Sequence, residues 1–368
     1  MTTESAAIGA SSELSPHEPP LLELELPRIC AEIGPAPEDF VVDEIPLYAF
    51  SGAGEHCYVR LEKRNFTTPA MVRVVTRAAG IDERDVGYAG LKDKHAVTRQ
   101  WLSLPAKARP PNEWQLPEGI RVLEHTRHAN KLRTGHLLGN RFRITLDVTD
   151  NVGALDGANA IAEVLRARGL YNYFGGQRFG RRGDGLRQAL DWLREGARVH
   201  GVPRFLAKLY PSVIQAEVFN RYLSARRALG GDRLIPGEIV RLDKAGAMFM
   251  VEDTARETPR LARADIHLTG PIFGPKTRAA GAEAAELERS IIEQLGLDAA
   301  ALEKLGRLAP GTRRDLLAPI EDLRLEWAAV GRLAVEFSLP SGSYATELIR
   351  QFTAASFLID EPDRGDGG

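Results

Sequence analysis

Gly87-Tyr88-Ala89-Gly90-Leu91-Lys92-Asp93-Lys94-His95-Ala96-Val97-Thr98-Arg99-Gln100-Trp101-Leu102-Ser103-Leu104 is the stretch on which the reading of this chain turns. One apolar run ends at Ala89-Gly90 and a second begins at Trp101. The pattern predicts a strand, a loop and a strand, with a carboxylate on the loop. Gly90 is expected to let the chain turn sharply. Asp93 is flanked by Lys92 and Lys94, with His95 next. Nearby cations lower a carboxyl pKa, and an ionised, aimed aspartate can act as a nucleophile. The same triplet can also be a solvated charged turn, or Lys92 and Lys94 can meet phosphate oxygens, so other features of the chain must decide.

The chain has 368 residues, enough for two domains or for one large domain with an insertion. No apolar run reaches the roughly 18–20 residues of a membrane span, and no basic segment followed by an apolar stretch opens the sequence. The only cysteines are Cys30 and Cys57, which make no disulfide framework, so a reducing cytoplasm is expected. The formal net charge of −2 hides an uneven distribution. Residues 1–44 carry ten acids against one base, whereas residues 92–143 carry eleven Lys/Arg against four acids. A basic middle in a nearly neutral chain is the footprint of a polyanion site on one face.

Residues 1–28 read as a disordered acidic tail and 356–368 as a flexible end. Between them, 40–42, 58–61, 120–123 and 142–146 read as strands, with a turn at 51–54. A helix is expected from Pro69 to Ala79, with Thr68 as N-cap and Gly80 as the stop. Another helix is expected to be capped by Asn151 and closed by Gly169. Further helices are predicted at 184–195, 205–228, 282–295 and after Ser343, with strands at 238–242, 248–251, 325–327 and 333–339. Strands with interspersed helices at uneven spacing indicate an α+β fold rather than a doubly wound parallel sheet.

Three more constellations could carry chemistry. Residues 127–142 combine Arg127, His128, Lys131, Arg133, His136 and Arg141 with Asn140 and Phe142. An amide can read a base edge and a ring can stack on an unpaired base, although Phe142 also fits the first core position of a strand. Residues 171–182 interleave Tyr171, Tyr173, Phe174 and Phe179 with Arg178, Arg181 and Arg182, which suits stacking and phosphate contact or a hinge between domains. Residues 339–346 end a strand, turn at Pro340 and Gly342, and start a helix beside Tyr344, an arrangement open to phosphate or ribose. No phosphate-binding loop, dinucleotide fingerprint, zinc motif or nucleophile elbow is present. No cofactor and no metal is expected.

In this order the constellations resemble the tRNA pseudouridine synthase D (TruD) family. The likeness rests on Pro-Glu-Asp-Phe-Val-Val at 37–42, Ala-Gly-Leu-Lys-Asp-Lys-His-Ala-Val-Thr at 89–98, Gly-Asn-x-Phe at 139–142, Asn-Tyr-Phe-Gly-x-Gln-Arg-Phe-Gly at 172–180 and Leu-Pro-x-Gly-Ser-Tyr-Ala-Thr at 339–346. It implies a pseudouridine synthase catalytic domain, α+β around a mixed, mainly antiparallel sheet, over 29–172 and 318–355. An α/β TRUD domain would be inserted at 173–317, with an RNA cleft between the lobes. Asp93 matches the catalytic aspartate, Phe40, Asn140 and Tyr344 match positions that contact the target nucleotide, and Phe142 matches the aromatic against the flipped base. Lys92, Lys94, His95, Arg178, Arg181 and Arg182 would support the RNA phosphates. Some members carry a Lys where this chain has Gly34. If that cation holds the aspartate ionised, another residue must replace it, with Arg178 as first candidate and Lys92 as second.

The activity implied is isomerisation of uridine 13 in the D arm of tRNA to pseudouridine, without an obligatory protein partner or a membrane. Two rivals keep the same basic aromatic surface. A non-catalytic RNA chaperone would bind without making pseudouridine. A glycosylase would release free uracil.

Overall fold

The computed structural model describes residues 15–22, 28–150, 152–180, 183–197, 202–231 and 233–353. In chain order it builds β1 (Ala31–Ile33), β2 (Phe40–Pro46), β3 (His56–Arg64), α1 (Thr68–Ala79), β4 (Gly87–Tyr88), β5 (Val97–Pro105), β6 (Ile120–His128), β7 (Leu137–Val148), α2 (Ala154–Arg168) and β8 (Leu170–Tyr171). Next come α3 (Gly185–Arg194), α4 (Arg204–Ala228), β9 (Ile239–Leu242), β10 (Met248–Met250), α5 (Thr254–Ala262), β11 (Ile266–Ile272), α6 (Ala282–Gln294), α7 (Ala299–Leu308) and β12 (Thr312–Asp315). The chain ends with β13 (Leu317–Ala318), β14 (Glu321–Ala329), β15 (Arg332–Pro340) and α8 (Ala345–Thr353). Two compact units result: Pro20–Gln177 with Leu316–Gly368, and Met1–Pro19 with Arg178–Asp315. No helix of the described residues is long and apolar enough to cross a membrane.

The larger unit is built on one sheet in the order β14-β15-β7-β2-β5-β3-β6, with β1 added to β7 and β4 to β5. Every pairing is antiparallel except β2 with β5. The sheet is therefore mixed and mainly antiparallel, and with its helices the fold is α+β. Strands β2 and β3 do not pair with each other, because β5 lies between them.

Residues directly opposite one another share a face of a sheet. Register aligns Phe142 with Val42 and Phe337, Val42 with Thr98, and Thr98 with Lys63. Alternation then places Phe40, Glu44, Leu61, Gln100, Asn140 and Leu339 on that same face. All three helices of this unit cover it. Ile161 and Leu165 of α2 and Leu348, Ile349 and Phe352 of α8 pack with Phe142, Ile144, Val335 and Phe337. Met71, Val72 and Val75 of α1 pack with Val59, Leu61, Leu102 and Leu104. The opposite face carries Tyr58 and Trp101, which cluster with Ala89, Leu132 and Leu137.

The start of α1 differs from the expected cap. Thr67, not Thr68, caps the helix, its hydroxyl accepting the Ala70 N–H at 3.1 Å, and Gly80 closes it in the left-handed conformation. Thr68 is fully buried and its hydroxyl is engaged elsewhere, donating to Gln100 Oε1 at 2.9 Å and accepting the Lys92 N–H at 3.0 Å. Gly90 follows the bend at Ala89. Its φ lies outside the left-handed region, and an added Cβ there would meet nothing within 4 Å. Gly169 closes α2 as expected, whereas Asn151 lies outside the described residues.

Part of the N-terminal segment expected to be a tail is held. The His17 N–H donates to the Glu217 carboxylate at 3.0 and 3.1 Å. Leu22 is buried, and its N–H donates to Gln351 Oε1 at 2.9 Å. Residues 1–14, 23–27 and 354–368 lie outside the described residues.

The smaller unit pairs β10-β9-β11-β12 in an antiparallel sheet beside α4. Its interior contains charge. Arg226 and Glu238 are almost wholly buried and meet at 2.5 Å, and Arg313 meets Glu288 at 2.5 Å while also donating to Thr269 Oγ1.

Thr67→Ala should lower stability by about 1 kcal/mol through loss of the cap, read as a shift in the urea midpoint with an unchanged slope. A shift indistinguishable from zero would return the capping role to another residue.

Candidate active site

Residues 89–96 form an irregular loop between β4 and β5, and its backbone is held at four points, with the Lys92 side chain as a fifth tie. The Lys63 ammonium donates to the Asp93 carbonyl at 2.6 Å. The Lys92 N–H donates to Thr68 Oγ1 at 3.0 Å, and Gln100 Nε2 donates to the Gly90 carbonyl at 3.4 Å. At the start of the loop, the Gly135 N–H donates to the Ala89 carbonyl at 2.8 Å. The Lys92 ammonium donates to Glu44 Oε2 at 2.9 Å, while Glu44 Oε1 accepts the Trp101 N–H at 3.2 Å. The donors and acceptors come from separated segments of the larger unit. Asp93 itself is half-buried.

This geometry corrects one expected role. Lys92 is buried, with 7% of its side chain exposed against 2% for Glu44. It is an internal ion pair and not a phosphate contact. The alternation of Lys92, Asp93 and Lys94 along the sequence could not show that the first lysine turns inward.

The residue that sequence reasoning missed is Lys63. It lies on β3, thirty positions before Asp93, and is fully buried. Burial pushes its ammonium down to about 7, while the negative charge of Asp93 pulls upward and Lys92 pushes further down. The attraction is mutual, so a charged Lys63 favours the ionised form of Asp93. A signal was available in the alternation of β3, where Lys63 falls in phase with the core residues Val59 and Leu61. Gly34 has no room for a side chain: a Cβ there would lie 2.2 Å from Asp39 Oδ2. The Asp39 carboxylate is in turn paired with Arg332.

The aromatic and amide residues lie on the helix-covered face. The Phe142 ring stacks on Phe337 with centroids 5.2 Å apart and meets Phe40 edge-on at 6.3 Å. Phe142 is only 7% exposed, so its core role is real whatever else it does. Asn140 stands opposite Glu44 on one side and Leu339 on the other. Its Oδ1 is buried and accepts no hydrogen bond from a described residue. Gly139 is required here, because a Cβ would come within 2.3 Å of the Leu339 carbonyl oxygen.

The third and fourth constellations meet. Ser343 Oγ donates to Asn172 Oδ1 at 3.0 Å, and Tyr344 packs edge-on against Phe174 with centroids 5.9 Å apart. A Cβ on Gly175 would touch Tyr344 Cδ1 at 3.0 Å, so the glycine admits the ring. Tyr344 is half-buried beside the start of α8. Lys94 is half-buried and His95 exposed. Arg178 belongs to the smaller unit, where one guanidinium nitrogen lies 3.5 Å from Ser212 Oγ. Arg181 and Arg182 lie outside the described residues.

Comparison with known proteins places the chain. The profile of the family "tRNA pseudouridine synthase D (TruD)" matches residues 21–185 and 187–352. The chain belongs to the tRNA pseudouridine synthase D family. A tRNA pseudouridine synthase D of Anaeromyxobacter sp. (strain Fw109-5) is 42% identical over 356 residues, covering 94% of this chain and 98% of that one. A relative of the same name from Thermus thermophilus is 38% identical over 338 residues, covering 91% and 92%. A solved chain from Methanosarcina mazei, provisionally named tRNA pseudouridine synthase D, superposes with a TM-score of 0.66 at 22% identity, covering 90% of this chain and 95% of that one. That likeness shows the shared fold.

Two outcomes test the site's internal charges. Lys92→Met should cost about 3–5 kcal/mol, because it strands the buried Glu44 charge, and should leave the salt dependence of RNA affinity unchanged. A near-neutral stability change with a flatter salt slope would restore the phosphate role. The Lys63 side-chain amine should titrate by NMR near pH 7. An unfolded lysine keeps its proton to about pH 10.4, so between those values the unfolded state binds more protons and Lys63 makes stability rise with pH. Lys63→Met should remove that rise. A midpoint close to the unfolded value would refute the assigned burial.

Proposed function

We propose that the chain isomerises uridine 13 in the D arm of tRNA to pseudouridine, with Asp93 as the catalytic carboxylate. The observation that carries this reading is the Asp93 loop, whose backbone is tied by buried polar side chains to β3, α1 and β5 in a member of this family. A carboxylate on a fixed backbone beside a buried ammonium meets the two needs of the chemistry, ionisation and aim.

In the reaction the C1′–N1 bond breaks, the uracil rotates, and a C1′–C5 bond forms. The proton lost from C5 is balanced by the one gained at N1, so no atom enters or leaves. Asp93 serves by attack on C1′, by attack on the ring or by removal of a ribose proton. All three place its oxygen against an extruded nucleotide. Extrusion costs about a few kcal/mol, and stacking on an aromatic ring returns roughly 1–3 kcal/mol.

Phe142 is the ring proposed to meet the base, which requires its edge to become accessible when RNA binds. Asn140 orients the uracil or its ribose, and the open acceptor at its Oδ1 supports that role. Phe40 and Tyr344 close the pocket. Arg127, Arg133, Lys94, His95, Arg178, Arg181 and Arg182 hold phosphates, which makes binding sensitive to salt.

Asp93→Asn should abolish pseudouridine formation in an unmodified tRNA transcript, mapped chemically, while tRNA affinity stays within about twofold, since only a transition-state role is removed. Near-normal turnover by this variant would be fatal to the assignment.

A further inference from the structure

We propose that the larger unit carries a second nucleotide pocket, on the sheet face opposite Phe142, which takes an unpaired RNA nucleotide with its base against Tyr48 and His128 and its phosphate on Lys131 and Arg133. The proposal rests on the RNA-substrate reading above and adds a site that the reaction itself does not need.

The pocket encloses about 490 Å³ and is lined by Tyr48, His128, Asn130, Lys131, Arg133 and His136. Cavities of this size hold small ligands, and none of the six residues is acidic. Its face follows from register. His128 stands opposite His56, which is in phase with Tyr58 and out of phase with Lys63. The pocket is therefore backed by Tyr58, which meets His128 edge-on at 5.4 Å, and not by the Phe142 core.

Its aromatic wall is preorganised. Tyr48 stacks on His128 with centroids 5.0 Å apart and an interplanar angle of 21°, and meets His136 edge-on at 6.1 Å. The Tyr48 hydroxyl lies 3.4 Å from the buried Tyr58 hydroxyl and 3.3 Å from His136 Nδ1. Tyr58 in turn donates to the Asn130 carbonyl at 2.8 Å. A wall fixed in this way loses little entropy when a base docks.

The polar groups suit a nucleotide. The Asn130 amide is exposed and offers donors and an acceptor to a base edge. Lys131 Nζ is anchored on the Arg84 carbonyl at 2.8 Å and keeps two N–H groups for a phosphate. Arg133 is exposed at the rim. The loop bearing these residues is bonded to Ala89 through Gly135 and to Ser103 Oγ through the Leu132 N–H at 2.9 Å. The pocket is thus rigidly joined to the segment that leads into the Asp93 loop. Binding energy gathered away from the reacting atoms, equally in ground and transition states, lowers KM and not the barrier of the bound complex.

The test uses the full chain and an unmodified tRNA transcript substituted at random with 4-thiouridine. Near-ultraviolet crosslinking should join the peptide containing Tyr48 or His128 to a nucleotide other than the one isomerised. Tyr48→Ala and Arg133→Glu should each raise KM about tenfold, within the range of one stacked base or one charge contact, with the loss falling on KM and not on kcat. Arg133 is exposed, so its variant removes the charge contact even where Tyr48→Ala folds poorly, and the identity of the crosslinked nucleotide separates this pocket from the phosphate contacts of the isomerised uridine. A KM for Arg133→Glu within about twofold of wild type, or crosslinks to this peptide only from the isomerised uridine, overturns the pocket. Wild-type protein that crosslinks here yet forms no pseudouridine overturns the reading of Asp93 and upholds the pocket.

Discussion

The hydrogen bond from the buried Lys63 ammonium to the Asp93 carbonyl is the constraint on which the site depends. A side chain can be aimed only as well as its backbone is fixed, and an irregular loop has no ladder to fix it. Here the fixing comes from outside the loop. Lys63 reaches it from β3, Thr68 from the first turn of α1, and Gln100 from β5. Burial of the ammonium is unfavourable by itself, as the fall of its pKa to about 7 records. The carbonyl, and the negative charge of Asp93 near it, offset part of that cost. The same low-dielectric setting strengthens each of these interactions relative to water.

The second buried cation extends this arrangement across the sheet. Lys92 closes on Glu44, and Glu44 also takes the Trp101 N–H, so one carboxylate ties the loop to β5 through β2. Removing either partner leaves an uncompensated buried charge. Glu44 is aligned with Asn140, and Val42 with Phe142. The pair thereby connects the loop to the strand that carries the proposed base-binding residues. Small residues complete the assembly where backbones or rings approach closely. Gly139 admits the Leu339 carbonyl, and Gly175 admits the Tyr344 ring.

Much of this was legible in the sequence, because alternation and glycine stops are local signals. The α+β class, most strands of the large sheet and the ends of α1 and α2 follow from them. What failed was of a different kind. Thr67 and Thr68 are equal as caps by composition, and only the distant Gln100 and Lys92 decide which hydroxyl is free for the helix. Lys92 reads as solvated because nothing nearby announces its partner, forty-eight positions earlier in Glu44. Strand β11 is not among the expected strands, and it contains Gly270 and Pro271, two residue types that sheets disfavour. In the fold Pro271 stands opposite Arg313 on β12, and the preceding Thr269 hydroxyl bonds the Ile239 carbonyl. Phe142 was read both as a stacking ring and as a core residue. The structure puts it in the core, stacked on Phe337.

The two faces of the large sheet differ in kind, and the difference bears on how an RNA enzyme divides its work. The helix-covered face is dry: Lys63, Gln100 and Thr98 are fully buried, as are Ile144 and Phe337. Charge placed there is scarce, paired and structural, which suits a step that needs one ionised oxygen and little water. The opposite face, near the ends of β2 and β6, is half-exposed and aromatic, and the pocket there is lined by Lys131 and Arg133 and by no acid. On the proposed reading, such a surface gathers a polyanion without altering the chemistry. A single sheet can serve both ends because strand alternation sends adjacent residues to opposite faces. Lys63 and its chain neighbours on β3 belong to different environments for that reason alone. Substrate binding and carboxylate aim are then separable by mutation even though they share strands.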